Sequence, residues 1–170
     1  HEAGAKYIMG CNPMALAVMK TPAEYGADIA VGDGQPLGMP LAFGGPYLGF
    51  MTATAAMTRK LPGRIVGETA DHEGRRAFVL TLQAREQHIR REKASSNVCS
   101  NQAWCALTAS VYMTAMGADG MAKAAGQCMS KAHYLRDVLK EAGLEPKHNC
   151  EFFHEFVTVS PEGGCTDSVH

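Results

Sequence analysis

Gly32-Asp33-Gly34-Gln35-Pro36-Leu37-Gly38-Met39-Pro40-Leu41-Ala42-Phe43-Gly44-Gly45-Pro46-Tyr47-Leu48-Gly49-Phe50 is the stretch on which the fold turns. Its six glycines and three prolines rule out a helix, because glycine costs backbone entropy and proline lacks an amide donor. Its apolar residues, among them Leu37, Met39, Leu41, Phe43 and Tyr47, are too many for a solvated linker. What remains is an ordered loop with positive φ angles, open to close approach by a ligand, another chain or a packed element. Apolar runs flank it, Ala27 to Val31 before and Tyr47 to Ala53 after. A glycine-rich loop leaving a buried strand is where α/β proteins place ligands. A plain structural turn between two strands is the alternative, and the loop alone does not choose. It is no P-loop, since no Gly-Lys-Ser or Gly-Lys-Thr follows, and no helix pattern opens at its end to complete a dinucleotide fingerprint.

Working outward toward the N-terminus, Ala5 to Cys11 reads as a short strand. Pro13 then opens an apolar helical turn, Met14 to Met19. Tyr25 to Val31 reads as a second strand, near-continuously apolar as in a parallel strand covered on both faces. Strand, helix and strand so close together make a βαβ unit. Toward the C-terminus a third strand is expected near Tyr47 to Thr52, and a short helix over Ala53 to Lys60. A hairpin follows: Gly63 to Gly67 and Ala77 to Leu82, joined by the turn Asp71-His72-Glu73-Gly74. Ser100 to Met116 reads as a helix with an apolar set Trp104, Leu107, Thr108, Val111, Tyr112 and Ala115, capped by Ser100 or Asn97. Gly117 ends it. Asp119 to Ala142 reads as a second helix, with Met121, Ala125, Cys128, Ala132, Leu135 and Leu139 on one face and Gly143 as its left-handed terminator. Glu151 to Val159 reads as a strand.

Charge is unevenly spread. Nine of the sixteen Lys and Arg residues fall between Arg59 and Lys93, against five acids. This segment is either a salt-bridged surface, with Glu86 and Arg90 at i,i+4 spacing, or an anion site built on arginine forks. A nucleic-acid patch ranks last, because Phe78 is the one aromatic available for stacking and the formal net charge is −1. No apolar run reaches the length of about 18 residues that spans a bilayer, and no secretory signal is visible. The chain begins at His1 and reads as part of a longer protein. Six cysteines without a Cys-x-x-Cys pair suggest free buried thiols in a reducing cytoplasm. His148, Cys150 and His154 fit no common zinc spacing, so surface or core roles are preferred and no metal site is assigned. No nucleophile stands out.

Several long blocks resemble one family. They are Gly32 to Pro40 with Phe43 to Phe50, Leu61-Pro62-Gly63-Arg64-Ile65-Val66-Gly67-Glu68-Thr69, Glu73 to Gln83, and above all Arg85-Glu86-Gln87-His88-Ile89-Arg90-Arg91-Glu92-Lys93-Ala94-Ser95-Ser96-Asn97-Val98-Cys99. Together they resemble subunit 1 of the bacterial two-subunit P-protein family, the glycine dehydrogenases (decarboxylating) of the glycine cleavage system. The resemblance implies an α/β, aspartate-aminotransferase-like fold of the pyridoxal-phosphate-dependent transferases (fold type I), here truncated. Residues 1–97 would end the large domain, 98–116 would be the connecting helix, and 117–170 would start the small C-terminal domain. It further implies decarboxylation of glycine and transfer of the aminomethyl group to the lipoyl arm of the H-protein. The cofactor pyridoxal 5'-phosphate is expected on the partner, glycine dehydrogenase subunit 2. Aligning Met39-Pro40 to Pro46 with the partner family's Pro-x-x-x-Gly-Gly-Pro run puts Gln35 at the expected lysine position. An amide cannot condense with an aldehyde, and no lysine lies between Lys20 and Lys60.

The chain is therefore expected to lack a catalytic residue of its own. Gly44, Gly45, Tyr47, Arg85, Gln87, His88, Arg90, Arg91 and Lys93 are the candidates for completing the partner's site. The expected assembly is a hetero-oligomer in the cytoplasm, or a homodimer of the fragment, with no membrane contact. Two other readings stay open: an anion- or nucleic-acid-binding module built on residues 59–93, and a self-sufficient pyridoxal-phosphate enzyme, which the absent lysine opposes.

Overall fold

The computed structural model describes residues 2–63, 65–82, 86–94 and 101–159. Its first unit is a three-stranded sheet of order β1-β2-β3, formed by β1 (Ile8–Gly10), β2 (Ile29–Asp33) and β3 (Gly49–Ala53). β1 and β2 are parallel, with Ile8 opposite Ile29, while β3 returns antiparallel, with Val31 opposite Met51. The parallel pair confirms the crossover read from the sequence. Its connection holds only a 3-10 turn, Ala15–Ala17, in place of the expected helix Met14 to Met19. The Asn12 side chain accepts a hydrogen bond from the Met14 N–H (2.9 Å), and the Thr21–Glu24 side-chain pair closes the next turn (2.8 Å), so local side chains hold the crossover in turns.

After β3 comes a 3-10 helix, Ala55–Lys60. β4 (Ile65–Ala70) and β5 (Arg76–Thr81) then form a separate antiparallel hairpin with Gly67 opposite Val79. Asp71 organises its turn, its Oδ1 accepting from the N–H groups of Glu73 (2.8 Å) and Arg75 (2.9 Å). α1 (Gln87–Arg90) is a single helical turn, followed at once by a 3-10 turn, Arg91–Lys93.

α2 (Ala103–Glu141) runs through 39 residues, with one non-helical residue inside, Gly117 (φ 62°). The break falls where the sequence divided two helices: Gly117 is a kink between one helical limb and the next, as expected. The suggested caps Asn97 and Ser100 lie outside the described residues; within them, Asn101 Oδ1 accepts from the Ala103 N–H (3.0 Å). Gly143 takes the left-handed conformation expected of it (φ 89°), and the Leu144 N–H closes back on the Leu139 carbonyl (2.9 Å).

The core is small and sits where the glycine-rich loop meets α2. Met14, Leu37, Ala109 and Ala125 are its buried residues, with Met39, Leu48, Tyr112, Met121 and Phe153 packed around them. This corrects the expected helix face. On the first limb of α2 the covered side carries the small residues Cys105 and Ala109, while Trp104 (80% exposed), Leu107 and Val111 face outward. The loop lies over this side, with Cys105 Sγ 3.9 Å from the Pro46 carbonyl and Tyr112 against Gly38. On the second limb Met121 and Ala125 are covered, but Cys128 and Leu135 are exposed.

Glu151 to Val159 is not a strand. It doubles back through one bridge, Pro146 to Thr158, because its aromatics find partners on α2. Phe152 stacks on His133 (centroids 4.1 Å), whose Nε2–H donates to the Phe152 carbonyl (2.9 Å). The cysteines are only partly as expected: Cys105 is buried and Cys11 half-buried, Cys128 and Cys150 are exposed, and Cys99 and Cys165 lie outside the described residues.

Candidate functional site

The loop is built from one side chain outward. Asp33 ends β2, and its Oδ1 accepts from the N–H groups of Gln35 (2.8 Å) and Leu48 (3.4 Å). Gln35 Nε2 donates to the Met39 carbonyl (2.8 Å), and the Met39 N–H returns to the Gln35 carbonyl (3.2 Å). Residue 35 thus ties the turn Asp33 to Met39 from both its amide and its backbone. Gly38, at φ 88°, lies directly under Tyr112, where an added Cβ would come within 2.7 Å of the tyrosine Cβ. Glycine is needed there on both counts.

At the C-terminal ends of the parallel strands, the loop opens on a cleft of about 370 Å³ lined by Cys11, Asn12, Asp33, Gln35, Pro36, Tyr47 and Glu155. This is where α/β sheets bind ligands. Of the expected site residues, Gln35 and Tyr47 meet here, whereas Gly44 and Gly45 lie in the next turn, where the Gly45 N–H donates to the Ala42 carbonyl (3.0 Å). Asn12 and Glu155 were missed in the sequence. Asn12 follows β1 and Glu155 comes from the C-terminal segment, so only the parallel pairing and the folding back of residues 145–159 bring them in.

Tested against pyridoxal phosphate, the cleft does not fit. It offers no amine, since Gln35 spends its amide on Met39. Among the described residues its lining holds two carboxylates, Asp33 and Glu155, and no cation to meet a phosphate.

The basic segment is of opposite character. Glu86 is buried at 6% exposure, and its carbonyl accepts from the N–H groups of Ile89 (3.1 Å) and Arg90 (2.9 Å), starting α1. Gln87, His88, Arg90, Arg91 and Lys93 are all exposed. Arg91 adopts φ 52° and ψ −124°, a strained conformation for a side-chain-bearing residue. Elsewhere the arginines are paired: Arg75 with Glu73, Arg76 with Glu68 (3.1 Å) and Arg136 with Asp137 (2.7 Å). No salt bridge joins His88, Arg90, Arg91 or Lys93 to a carboxylate among the described residues, so the Glu86–Arg90 pair suggested by spacing does not form. Arg85, the remaining candidate, lies outside the described residues. His148, Cys150 and His154 do not gather a metal site; among the described residues no group of three or more His, Cys, Asp or Glu side chains does.

The family model of the glycine cleavage system P-protein matches residues 1–169. The chain belongs to this family. A protein of Moorella thermoacetica named "Probable glycine dehydrogenase (decarboxylating) subunit 1" is 58% identical over 158 residues, covering 92% of this chain and 36% of the relative. A protein of the same name from Chlorobium luteolum is 52% identical over 162 residues, 95% of this chain and 36% of the relative. A crystal structure of glycine decarboxylase (P-protein) of the glycine cleavage system, in inhibitor-bound form, superposes with a TM-score of 0.85 at 49% identity. It covers 90% of this chain and 35% of that one. The fold is accordingly that of the fold-type-I P-protein, and the chain spans about 36% of the length of these curated relatives. No helix among the described residues is long and apolar enough to cross a membrane.

Proposed function

We propose that this chain is part of a lysine-lacking subunit 1 of glycine dehydrogenase (decarboxylating), and that it completes the pyridoxal-phosphate site of a companion subunit. The observation that carries this reading is Gln35. The position expected to hold the cofactor amine holds an amide already bonded to Met39, beside a cleft whose described lining has two carboxylates and no cation. The cofactor, held by the companion's lysine, would supply the electron sink for losing the glycine carboxylate. This chain would supply the cation-rich segment: Gln87, His88, Arg90, Arg91 and Lys93, with Arg85 beside them, to hold the cofactor phosphate or the substrate carboxylate. Gly44, Gly45 and Tyr47 would shape the wall against the companion. The aminomethyl group would pass to the lipoyl arm of the H-protein, in a cytoplasmic hetero-oligomer. The division into residues 1–97, 98–116 and 117–170 belongs to the same reading. The boundary at 97/98 lies outside the described residues, and α2 carries the chain from one domain into the next.

Mixing the full-length subunit and its companion with pyridoxal phosphate, reducing with borohydride and mapping the adduct by mass spectrometry tests this. The adduct is expected on the companion alone. A stoichiometric adduct on a lysine of this chain would overturn the reading. A second function, an anion-binding module using residues 59–93, would draw on the same exposed His88, Arg90, Arg91 and Lys93 but leaves the family relationship without a role.

A further inference from the structure

We propose that Gln35 is an internal lock of the glycine-rich loop: its side-chain amide holds the wall of the cleft in shape from within the chain, so that no cofactor is needed to order it. The lock stands on the loop's own bonds; that it takes the place of a cofactor amine rests on the reading of residue 35 given above.

Every bond the lock uses lies between Asp33 and Leu48. Gln35 Nε2 donates to the Met39 carbonyl (2.8 Å), and the Met39 N–H donates to the Gln35 carbonyl (3.2 Å), so the turn is closed from both of its sides. The Gln35 N–H is itself held by Asp33 Oδ1 (2.8 Å). Within the turn the Leu37 N–H donates to the Gly34 carbonyl (2.9 Å), and the Gly34 N–H ties the entry to the Leu48 carbonyl (2.6 Å). The closed turn presents Leu37 to the core, beside Met14, Ala109 and Ala125, with Met39 and Leu48 packed against them. One amide on the cleft wall thus decides whether the loop's apolar residues reach α2.

The residue type is specific. The acceptor is a backbone carbonyl four residues on, so the side chain must be long enough and must carry a donor. Asparagine is one methylene short. Glutamate has the length, but its ionised carboxylate only accepts. It would face the Met39 carbonyl, with Asp33 and Glu155 as the charged groups on the described lining of the cleft. The Gln35 amide is also not free for a ligand, because its bond to Met39 is half-buried and breaking it would leave that carbonyl without its side-chain donor.

The test is amide hydrogen exchange, read by mass spectrometry on peptides spanning residues 34–48 in the full-length subunit. Gln35→Met keeps the length and loses the donor, and is expected to speed exchange about tenfold, the scale of one net hydrogen bond. Gln35→Glu is expected to speed it further at pH 7. Carbonyl and carboxylate neighbours raise the folded pKa of the introduced carboxyl, so its penalty is present above that value and is lost as pH falls and the protonated group donates to Met39 again. Its excess over the unaltered subunit, compared at each pH, should therefore shrink on acidification. Pyridoxal phosphate is expected to leave exchange of the unaltered loop unchanged. Equal exchange in the unaltered subunit and Gln35→Met overturns the lock. An excess for Gln35→Glu that stays constant with pH also overturns it, and makes residue 35 a packing residue. Slower loop exchange on adding pyridoxal phosphate overturns the independence from a cofactor. The companion-lysine reading falls separately, by the borohydride adduct described above.

Discussion

The cleft at the strand ends and the segment Glu86 to Lys93 are opposites in charge and in internal satisfaction. In the cleft, Asp33 and Gln35 bond the loop itself, and the lining is acidic. In the segment, four basic side chains stand in solvent while other arginines of the chain hold carboxylate partners. The difference teaches where this chain keeps capacity for chemistry. Its own pocket is spent on holding its own loop, and its unspent charge is displayed outward.

The strongest way to break this comparison is to remove the displayed charge. Arg90→Ala together with Arg91→Ala is expected to lower turnover of the reconstituted enzyme about 100-fold or more, as two charge-assisted hydrogen bonds are lost. Assembly, followed by sedimentation, should be intact; dissociation would instead make these residues interface braces. The other pole is tested at Gly38. Gly38→Val must place a β-branched side chain at φ 88° against Tyr112, and is expected to cost about 3 kcal/mol, or roughly 6–12 °C in melting temperature. A melting temperature within a degree of the unaltered chain would show the loop free to lift from α2.

The smallest expected effect is at Asp28, which anchors the start of β2. Its carboxyl is held below the ordinary range by the Tyr7 N–H first and by Lys6 second. A lowered folded value means the stabilisation is present above the ordinary carboxylate range and is lost as pH falls through the lowered value. The stability gap between the unaltered chain and Asp28→Asn, read from urea melts, should therefore be full above about pH 5 and shrink on acidification. A gap that stays constant with pH would remove the charge from the account.

Much of the fold was legible because it is local. Asp71 to Gly74 announced the hairpin, Gly143 announced the end of α2, and the apolar run to Val31 announced a parallel strand. What stayed hidden depended on closeness rather than pattern. The large residues Trp104, Leu107 and Val111 read as a core face, yet the loop packs on the side of the helix that carries Cys105, Ala109 and Tyr112. Glu151 to Val159 has strand composition, but His133 and Arg136 offered its Phe152 ring a stacked partner and a cation, 5.5 Å from its centroid, that no pairing strand supplies. For the site, Gln35 was legible as the residue at the position where the family resemblance expects a lysine. The bond from Gln35 to Met39 was not, nor were Asn12 and Glu155 in the cleft, because their convergence is tertiary.

Gly117 gives α2 a mechanical property. From that residue to Glu141 the rod extends roughly 36 Å at the helical rise, and its base is clamped through Cys105 and Tyr112 to the loop. The far limb is held as well, since Met121 and Ala125 pack with Met14 and Leu37 in the same core, so the kink fixes the angle at which this limb carries His133 and the Phe152 ring stacked on it. One positive-φ glycine thus sets the direction in which the second limb leaves the loop.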